Sequence, residues 1–299
     1  MYLYKAFSFN ISSELEIPEF LPGEGVPDIT ILMGKVSDKL NNPTAKGLRY
    51  QIADGEFLLK VDNIARYYVE QGKKITIDPD IMATANDIRL FLLGSVFGAL
   101  FHQRKLLPFH ASSICYEGKA ILFTGPTGIG KSTLAAAFRL KGFQTVSDDI
   151  SLVVPDSIDG YTLVPGYPQV KLWEKSLKLL NQDCTGMEKI REKLNKYKLD
   201  VKSNFYGTES LKIKTIYLIA TKRTEGTEIT DLKGAEKFIE LKDNIFRSKW
   251  VNDFKNQQVN FSLLSFLIQS CQIRKISRQK DIDCLDELVN LIMEDQQHG

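Results

Sequence analysis

Histidine and cysteine are scarce in this chain. It has three His and four Cys in 299 residues, and no two Cys stand as C-x-x-C. A structural zinc site is therefore not expected. Cys115, Cys184, Cys271 and Cys284 are scattered, which suits a reducing cytoplasm better than a disulfide framework. An excess of one charge is also lacking. Thirty-nine basic residues against 37 acidic ones leave +2, so no global field points to nucleic acid or to a membrane surface. Long apolar runs are missing. The longest, residues 90–101, is interrupted by Ser and Gly and is too short to span a bilayer. The opening MYLYKAFSFN has no basic stretch leading into an apolar one, so no signal peptide is expected. Internal repeats and low-complexity segments are absent. What is left is 43% hydrophobic, 10% aromatic and 25% charged, an ordinary globular composition long enough for one large domain or two modest ones.

Residues 1–85 read as mostly strand. PDITILMGKV, GLRYQI, EFLLKV and KITID are short runs rich in β-branched and aromatic residues. Asp54-Gly55 and, more weakly, Gln71-Gly72 are turn signals between such runs. Asn86-Asp87 is placed to cap a helix reaching about Arg104. That helix is apolar on nearly all sides and so should be buried. Its Gly94 and Gly98 suggest close packing of another element. The domain division is set at 1–85, a β-rich accessory domain, and 86–299. Beyond it, strands and helices are mixed. SSICYEG and KAILFTG are strand-like, and STLAAAFRLKG is a helix closed by Gly142. FQTVSDDISLVV is a strand region broken by a polar pair. EKSLKLL and MEKIREKLNKY read as helical, IKTIYLIAT as strand. Helices are expected at about 235–247, 259–271 and 281–295. This pattern is that of a layered α/β core.

The strong signal is Gly125-Pro-Thr-Gly-Ile-Gly-Lys131-Ser132-Thr133, a complete G-x-x-x-x-G-K-[ST] phosphate loop. A chance match in a chain of this length is expected on the order of one time in a hundred. ILFT before it is a strand and LAAAF after it a helix, the context the motif requires. The glycines let successive N–H groups turn toward phosphate oxygens, and the helix start adds its positive end. Gly125, Thr127, Gly128, Ile129, Gly130, Lys131, Ser132 and Thr133 are thus the candidate nucleotide contacts. Lys131 should reach the β- and γ-phosphates, and the Ser132 hydroxyl should face Mg²⁺.

Asp148-Asp149 follows the loop helix at the end of the next strand-like run. Phosphoryl transfer needs a second anchor for the metal and often a base near the acceptor. Adjacent residues of a strand face opposite ways, so the two carboxylates should have different tasks. A solvated turn is the plain alternative. Of the histidines, His102 and His298 suit packing or capping roles, whereas His110 lies just ahead of the hairpin that leads into the loop.

Taken together, FHASSICYEGKAILFTGPTGIGKSTLAAAF and KGFQTVSDDISLV resemble the core of the bacterial HPr serine kinase/phosphorylase family, which is related to phosphoenolpyruvate carboxykinase. LLGSVFGALFHQRKLLPFHASSI and PGYPQVKLW more closely resemble the HPr-kinase-like proteins encoded beside peptide-modifying genes, of the lasso-peptide type. The specific match covers roughly residues 90–175. The resemblance implies an α/β P-loop core of the HPr kinase/PEP carboxykinase type, ATP or another nucleoside triphosphate, and Mg²⁺. It implies Asp149 as a metal ligand beside Ser132, Asp148 as the group taking the hydroxyl proton, and His110 as its helper. Exchange of the two Asp roles stays open. It also implies a catalytic Arg late in the chain, for which Arg247 is the candidate and Arg223 the reserve. The first 85 residues do not resemble the regulatory domain of the bifunctional enzyme, which puts phosphorylase activity and HPr as substrate in doubt.

Residues 174–223 carry ten Lys and two Arg against six acids, a net +6 that could face an acidic or phosphorylated substrate or simply be solvated. The expectation is a cytoplasmic P-loop serine kinase acting on a peptide or small protein, with no nucleic-acid or membrane partner and with a homo-oligomer allowed. A kinase of a small-molecule hydroxyl is the alternative. A non-catalytic nucleotide-binding module would need Lys131 and Ser132 but not Asp148 or His110. An ATPase coupled to motion would need a water-positioning residue, and none is evident.

Overall fold

The computed structural model describes residues 1–156, 160–223, 226–279 and 285–298. The fold is mixed α/β with a β-rich N-terminal part. Two compact units form: Met1–Pro108 with Phe246–Leu263, and Phe109–Ile245 with Leu264–Gly299. This differs from the expected division at 85/86, because the segment after residue 85 packs with the first sheet.

In the first unit the strands are β1 (Tyr2–Ala6), β2 (Phe9–Ser13), β3 (Leu21–Pro22), β4 (Ile29–Met33) and β5 (Ala45–Lys46). They continue as β6 (Tyr50–Ala53), β7 (Glu56–Val61), β8 (Ala65–Glu70) and β9 (Lys74–Pro79). All nine join one sheet in the order β3-β1-β2-β4-β9-β8-β7-β6-β5. Asp54-Gly55 and Gln71-Gly72 close the β6–β7 and β8–β9 hairpins, as their turn chemistry implied. β1, β2 and β8 were not singled out in the sequence.

The helical segment is α1 (Ala85–Phe91), a π turn over Leu92–Val96, and α2 (Phe97–Gln103). Its cap is Thr84, not Asn86-Asp87: the Thr84 hydroxyl accepts from the Asp87 N–H at 3.1 Å and donates to the Asp87 carboxylate at 2.7 Å. The β-branched hydroxyl one step outside the helix out-competes the Asn-Asp pair, whose backbone is already helical. The apolar face explains the domain shift. Phe97 and Phe101 lie 5.9 and 4.9 Å from the Phe7 ring, centroid to centroid, and Phe20 packs edge-on to Phe97 at 5.6 Å. The Tyr67 hydroxyl donates to the Ile88 carbonyl at 2.9 Å.

Gly98 meets another element closely, as its position suggested. A Cβ there would come within 2.6 Å of the Phe246 ring, while Gly94 faces open space. Gly98→Leu should therefore overpack the first unit and destabilise it by about 1–3 kcal/mol, whereas Gly94→Ala should be tolerated. Each unit holds one tryptophan, Trp250 in the first and Trp173 in the second. Urea unfolding followed through Trp250 in a Trp173→Phe background reads this out. An unchanged midpoint for Gly98→Leu would contradict the packing.

The second unit follows β10 (Leu107–Phe109) with β11 (Ala111–Tyr116), β12 (Lys119–Thr124), α3 (Lys131–Leu140), β13 (Thr145–Ser147) and β14 (Ser151–Asp156). Next come β15 (Gly160–Val164), β16 (Gln169–Trp173), α4 (Glu174–Leu179), β17 (Lys196–Asp200) and β18 (Leu211–Lys222). The chain continues through β19 (Thr227–Asp231) and α5 (Ala235–Asp243). It then passes through α6 (Lys249–Asp253), which belongs to the first unit, and α7 (Gln257–Ser270). It ends in β20 (Gln272–Gln279) and α8 (Leu285–His298). The main sheet runs β14-β15-β18-β12-β11-β13, with β20 parallel to β18 and β19 on β20. Phe123, Phe138 and Tyr217 stack between sheet and α3, with ring centroids 5.5 and 6.1 Å from Phe123.

The expected helix over MEKIREKLNKY does not form. After α4 the chain turns, and Lys196–Asp200 pairs antiparallel with β16, Leu172 facing Tyr197 and Val170 facing Leu199. Helix propensity there is outweighed by burial of Leu172, Tyr197 and Val170 against the core. The consequence is functional, because this pairing sets the β16 strand beneath the Asp pair.

Candidate functional site

The site is assembled at one edge of the second unit. β12 and β18 run parallel, so both deliver their C-terminal ends there. β12 gives way to the glycine loop. Gly125 has φ +141°, and a Cβ on it would strike the Ile219 carbonyl oxygen at 2.5 Å, so no other residue fits without moving β18. Gly130, at φ +102°, occupies the cap position of α3 and supplies no side-chain cap, and the first turn of that helix carries no acid. Its leading N–H groups are thus left for another acceptor. Thr127 and Gly128 form the exposed crest.

Lys131 folds back over the loop. Its Nζ donates to the carbonyls of Gly125 at 2.8 Å and Pro126 at 3.1 Å. Burial pushes its ammonium down to about 8, against the pull of the Asp148 and Asp149 carboxylates. Ser132 is half-buried at the helix start. Thr133 is spent elsewhere, its hydroxyl donating to Ser176 at 2.8 Å.

The Asp pair lies between β13 and β14, not within a strand. Asp149 has φ +69°, and the Ile150 N–H bonds the Asp148 carbonyl at 2.8 Å. This is a tight γ-turn of the rare, strained form. It separates the two carboxylates, so their different surroundings come from the turn rather than from strand alternation. Asp148 is buried, its Oδ1 accepting from Ser112 Oγ at 2.6 Å and its Oδ2 from the Lys171 N–H at 3.1 Å. The Asp149 side chain is 32% exposed, with Oδ2 3.4 Å from Lys171 Nζ and Oδ1 3.6 Å from His110 Nδ1. Burial alone would raise the Asp149 carboxyl. Lys171, His110 and Lys196 outweigh that and hold it below the usual carboxylate range. Lys171, itself buried, is held above its ordinary value by Tyr167 and both aspartates, so the ammonium stays charged.

His110 joins the pair from the start of β11. Its Nδ1 lies 3.1 Å from the Asp149 carbonyl oxygen, which can only accept, so Nδ1 carries the proton. Burial, with Lys131 nearby, lowers its pKa and favours the neutral ring. Behind the pair a buried chain of hydroxyls links Ser113, Ser147 and Ser151 at 2.6 and 2.7 Å.

His110, the loop, Lys131, Ser132, Asp148 and Asp149 therefore share one sheet edge. Arg247 does not join them within this unit. It belongs to the first unit, where its Nη2 donates to Ser95 at 2.9 Å and its guanidinium lies over Phe246 and Trp250. Arg223 is exposed just past β18. Ser112, Lys171 and Lys196 were missed in the sequence. Only the PGYPQVKLW stretch around Lys171 carried a hint. Cys284 lies outside the described residues, as does the His298 side chain.

The arrangement can hold an anion at the loop and place a carboxylate beside it. For a divalent cation, no cluster of three or more His, Cys, Asp or Glu exists among the described residues. Ser132 and Asp149 would suit Mg²⁺, which binds through one or two protein oxygens with phosphates and waters completing its shell. No helix among the described residues is long and apolar enough to cross a membrane.

Residues 81–178, about a third of the chain, match the family described as SynChlorMet cassette protein ScmC. No curated protein matches. Among solved structures, the Hpr(Ser) kinase/phosphatase from Coxiella burnetii is similar at 11% identity and a TM-score of 0.35, over 64% of this chain and 91% of that one. The chemistry of the site thus stands on its own residues.

Proposed function

We propose that the second unit is a nucleotide- and Mg²⁺-dependent P-loop kinase of the HPr-kinase type, working in the cytoplasm and moving the γ-phosphoryl of ATP to a serine hydroxyl of a peptide or small protein. One observation carries this. On the sheet edge of the glycine loop that Lys131 spans, Asp148 is buried and accepts from Ser112 Oγ at 2.6 Å and from the Lys171 N–H at 3.1 Å. A module that only bound nucleotide would need the loop but not a buried, doubly hydrogen-bonded carboxylate beside it.

The roles follow from the contacts. The carbonyls that Lys131 now serves are stand-ins for phosphate oxygens, which make stronger, charge-assisted partners for an ammonium. The free N–H groups at the start of α3 would bind the same phosphates. Ser132 and the more exposed Asp149 would hold Mg²⁺, which supplies charge neutralisation on the phosphates when bound. Asp148 would accept the hydroxyl proton, oriented by Ser112 and the Lys171 N–H. Phosphoryl transfer has a loose transition state, so the hydroxyl proton need leave only late. His110 would steady the γ-turn through the Asp149 carbonyl.

The test is direct. Fluorescent ATP-analogue binding with Mg²⁺ should be measured on the wild type and Lys131→Ala, with loss of at least about tenfold in affinity expected for the variant. Intact-mass detection of phosphoryl transfer should then use ATP, Ser-containing peptides, HPr and free serine. An 80 Da gain on one acceptor class names the substrate. Binding without transfer to any acceptor would favour a nucleotide-binding module; no binding at all would end the proposal.

A further inference from the structure

β20 runs parallel to β18, as β18 does to β12, so a third strand ends at the edge that carries the glycine loop. Near that end, opposite Thr221 of β18, stands Arg278. Its Nη2 donates to the Ile129 carbonyl at 2.9 Å, and its Nη1 reaches the Gln279 carbonyl at 3.4 Å. A Cβ built on Gly130 would sit 3.6 Å from the same Nη2. The guanidinium therefore rests against the loop between Ile129 and the start of α3.

No carboxylate pairs with Arg278 among the described residues. Arg274, four positions earlier on the same strand, contrasts with it: that guanidinium pairs with Asp231 at 2.9 Å and with Asp295. Among the described residues, two of the five N–H donors of Arg278 serve carbonyls. A half-buried guanidinium resting on the loop is well placed to meet an anion bound there. Its planar fork fits two oxygens of one phosphate, which a lysine cannot match.

We propose that Arg278 binds the phosphate chain of the nucleotide from the Ile129 end of the loop, as Lys131 does from the Gly125 end. This rests on nucleotide binding at the loop. It adds a contact that the motif itself does not contain, supplied by the last strand of the sheet.

Calorimetric titration with ATP, with tripolyphosphate and with adenosine separates the possibilities. The proteins are the wild type, Arg278→Gln and Arg278→Lys. Gln keeps an N–H for the Ile129 carbonyl but removes the charge. ATP and tripolyphosphate should both bind about 10- to 100-fold more weakly to Arg278→Gln. Adenosine binding and the unliganded unfolding midpoint should stay as in the wild type, and Arg278→Lys should recover part of the loss. If ATP weakens while tripolyphosphate does not, the guanidinium serves the base and the assignment is wrong. Unchanged affinity for both would reduce Arg278 to a prop for the loop. If the wild type binds neither ATP nor tripolyphosphate, the nucleotide function itself fails and this inference with it.

Discussion

Asp148→Asn is expected to lower the rate of phosphoryl transfer by about 10²- to 10⁴-fold, the range a positioned general base contributes. Nucleotide affinity should change little. The side chain is buried, and both its oxygens accept hydrogen bonds, from Ser112 Oγ and the Lys171 N–H. Asn keeps one acceptor and the shape but cannot take a proton. Its amide must also face one of two donors, so a modest fall in the unfolding midpoint should accompany the loss. Asp149→Asn tests the division of labour. That carboxylate is the more exposed one and lies beside Lys171 and His110. As a metal ligand it should chiefly raise the Mg²⁺ requirement. Single-turnover transfer measured across a Mg²⁺ series separates the two. Should added Mg²⁺ restore Asp148→Asn but not Asp149→Asn, the roles of the two residues are exchanged. If both variants keep more than about a tenth of the wild-type rate, neither serves as a base, since such a loss lies below the range for general-base catalysis.

The largest pH effect on stability is expected in the first unit, at His102. Its ring is fully buried, with Nε2 2.9 Å from the Phe246 carbonyl oxygen and its face stacked on Phe254 at 5.8 Å. The carbonyl can only accept, so Nε2 carries the proton. Nδ1 is buried and has no hydrogen-bond partner among the described residues. Protonating it would place a charge in an apolar pocket, and burial accordingly pushes the pKa down to about 4. The ordinary value is 6.5. Between those two values the unfolded chain takes up a proton that the folded unit refuses. Stability is therefore full above about pH 6.5 and falls as pH drops toward 4, by up to roughly 3 kcal/mol. Trp250 lies 6.1 Å from the His102 ring and reports on this unit. Urea unfolding of Trp173→Phe and Trp173→Phe/His102→Phe at pH 7, 5.5 and 4.5 gives the comparison. The double variant should show a distinctly flatter pH dependence. Equal slopes in the two proteins would mean that other groups set the acid sensitivity.

Much of the site could be seen in the residues alone, and the reason is distance along the chain. A glycine loop of this kind is a run of consecutive backbone conformations. Gly125, Gly128 and Gly130 all take positive φ, at 141°, 82° and 102°, and the motif spells them out in order. The turns at Asp54-Gly55 and Gln71-Gly72 are local in the same sense. The helix closed by Gly142 and the Asp pair that breaks its strand region are also local features. His110 was singled out only through the family resemblance, whose core places a His two strands ahead of the loop.

What the residues could not convey depends on pairings across the fold. Lys171 meets Asp149 because β16 lies under the γ-turn, and β16 is held there by β17, whose first two residues end the stretch expected as helix. Arg278 reaches Ile129 across 149 positions of chain through strand register alone. Arg247, chosen for its place late in the chain, is committed to Ser95 and Trp250 in the first unit. The apolar helix after residue 85 announced that it would be buried, but Phe7 and Phe20 decided against which sheet. Local backbone preference and the spacing of glycine, lysine and aspartate thus wrote the glycine loop and its neighbouring acids into the chain. The buried lysine, the serine that orients Asp148 and the arginine at the loop follow from sheet register. That register is settled by the burial of side chains far apart in sequence, which no local pattern records.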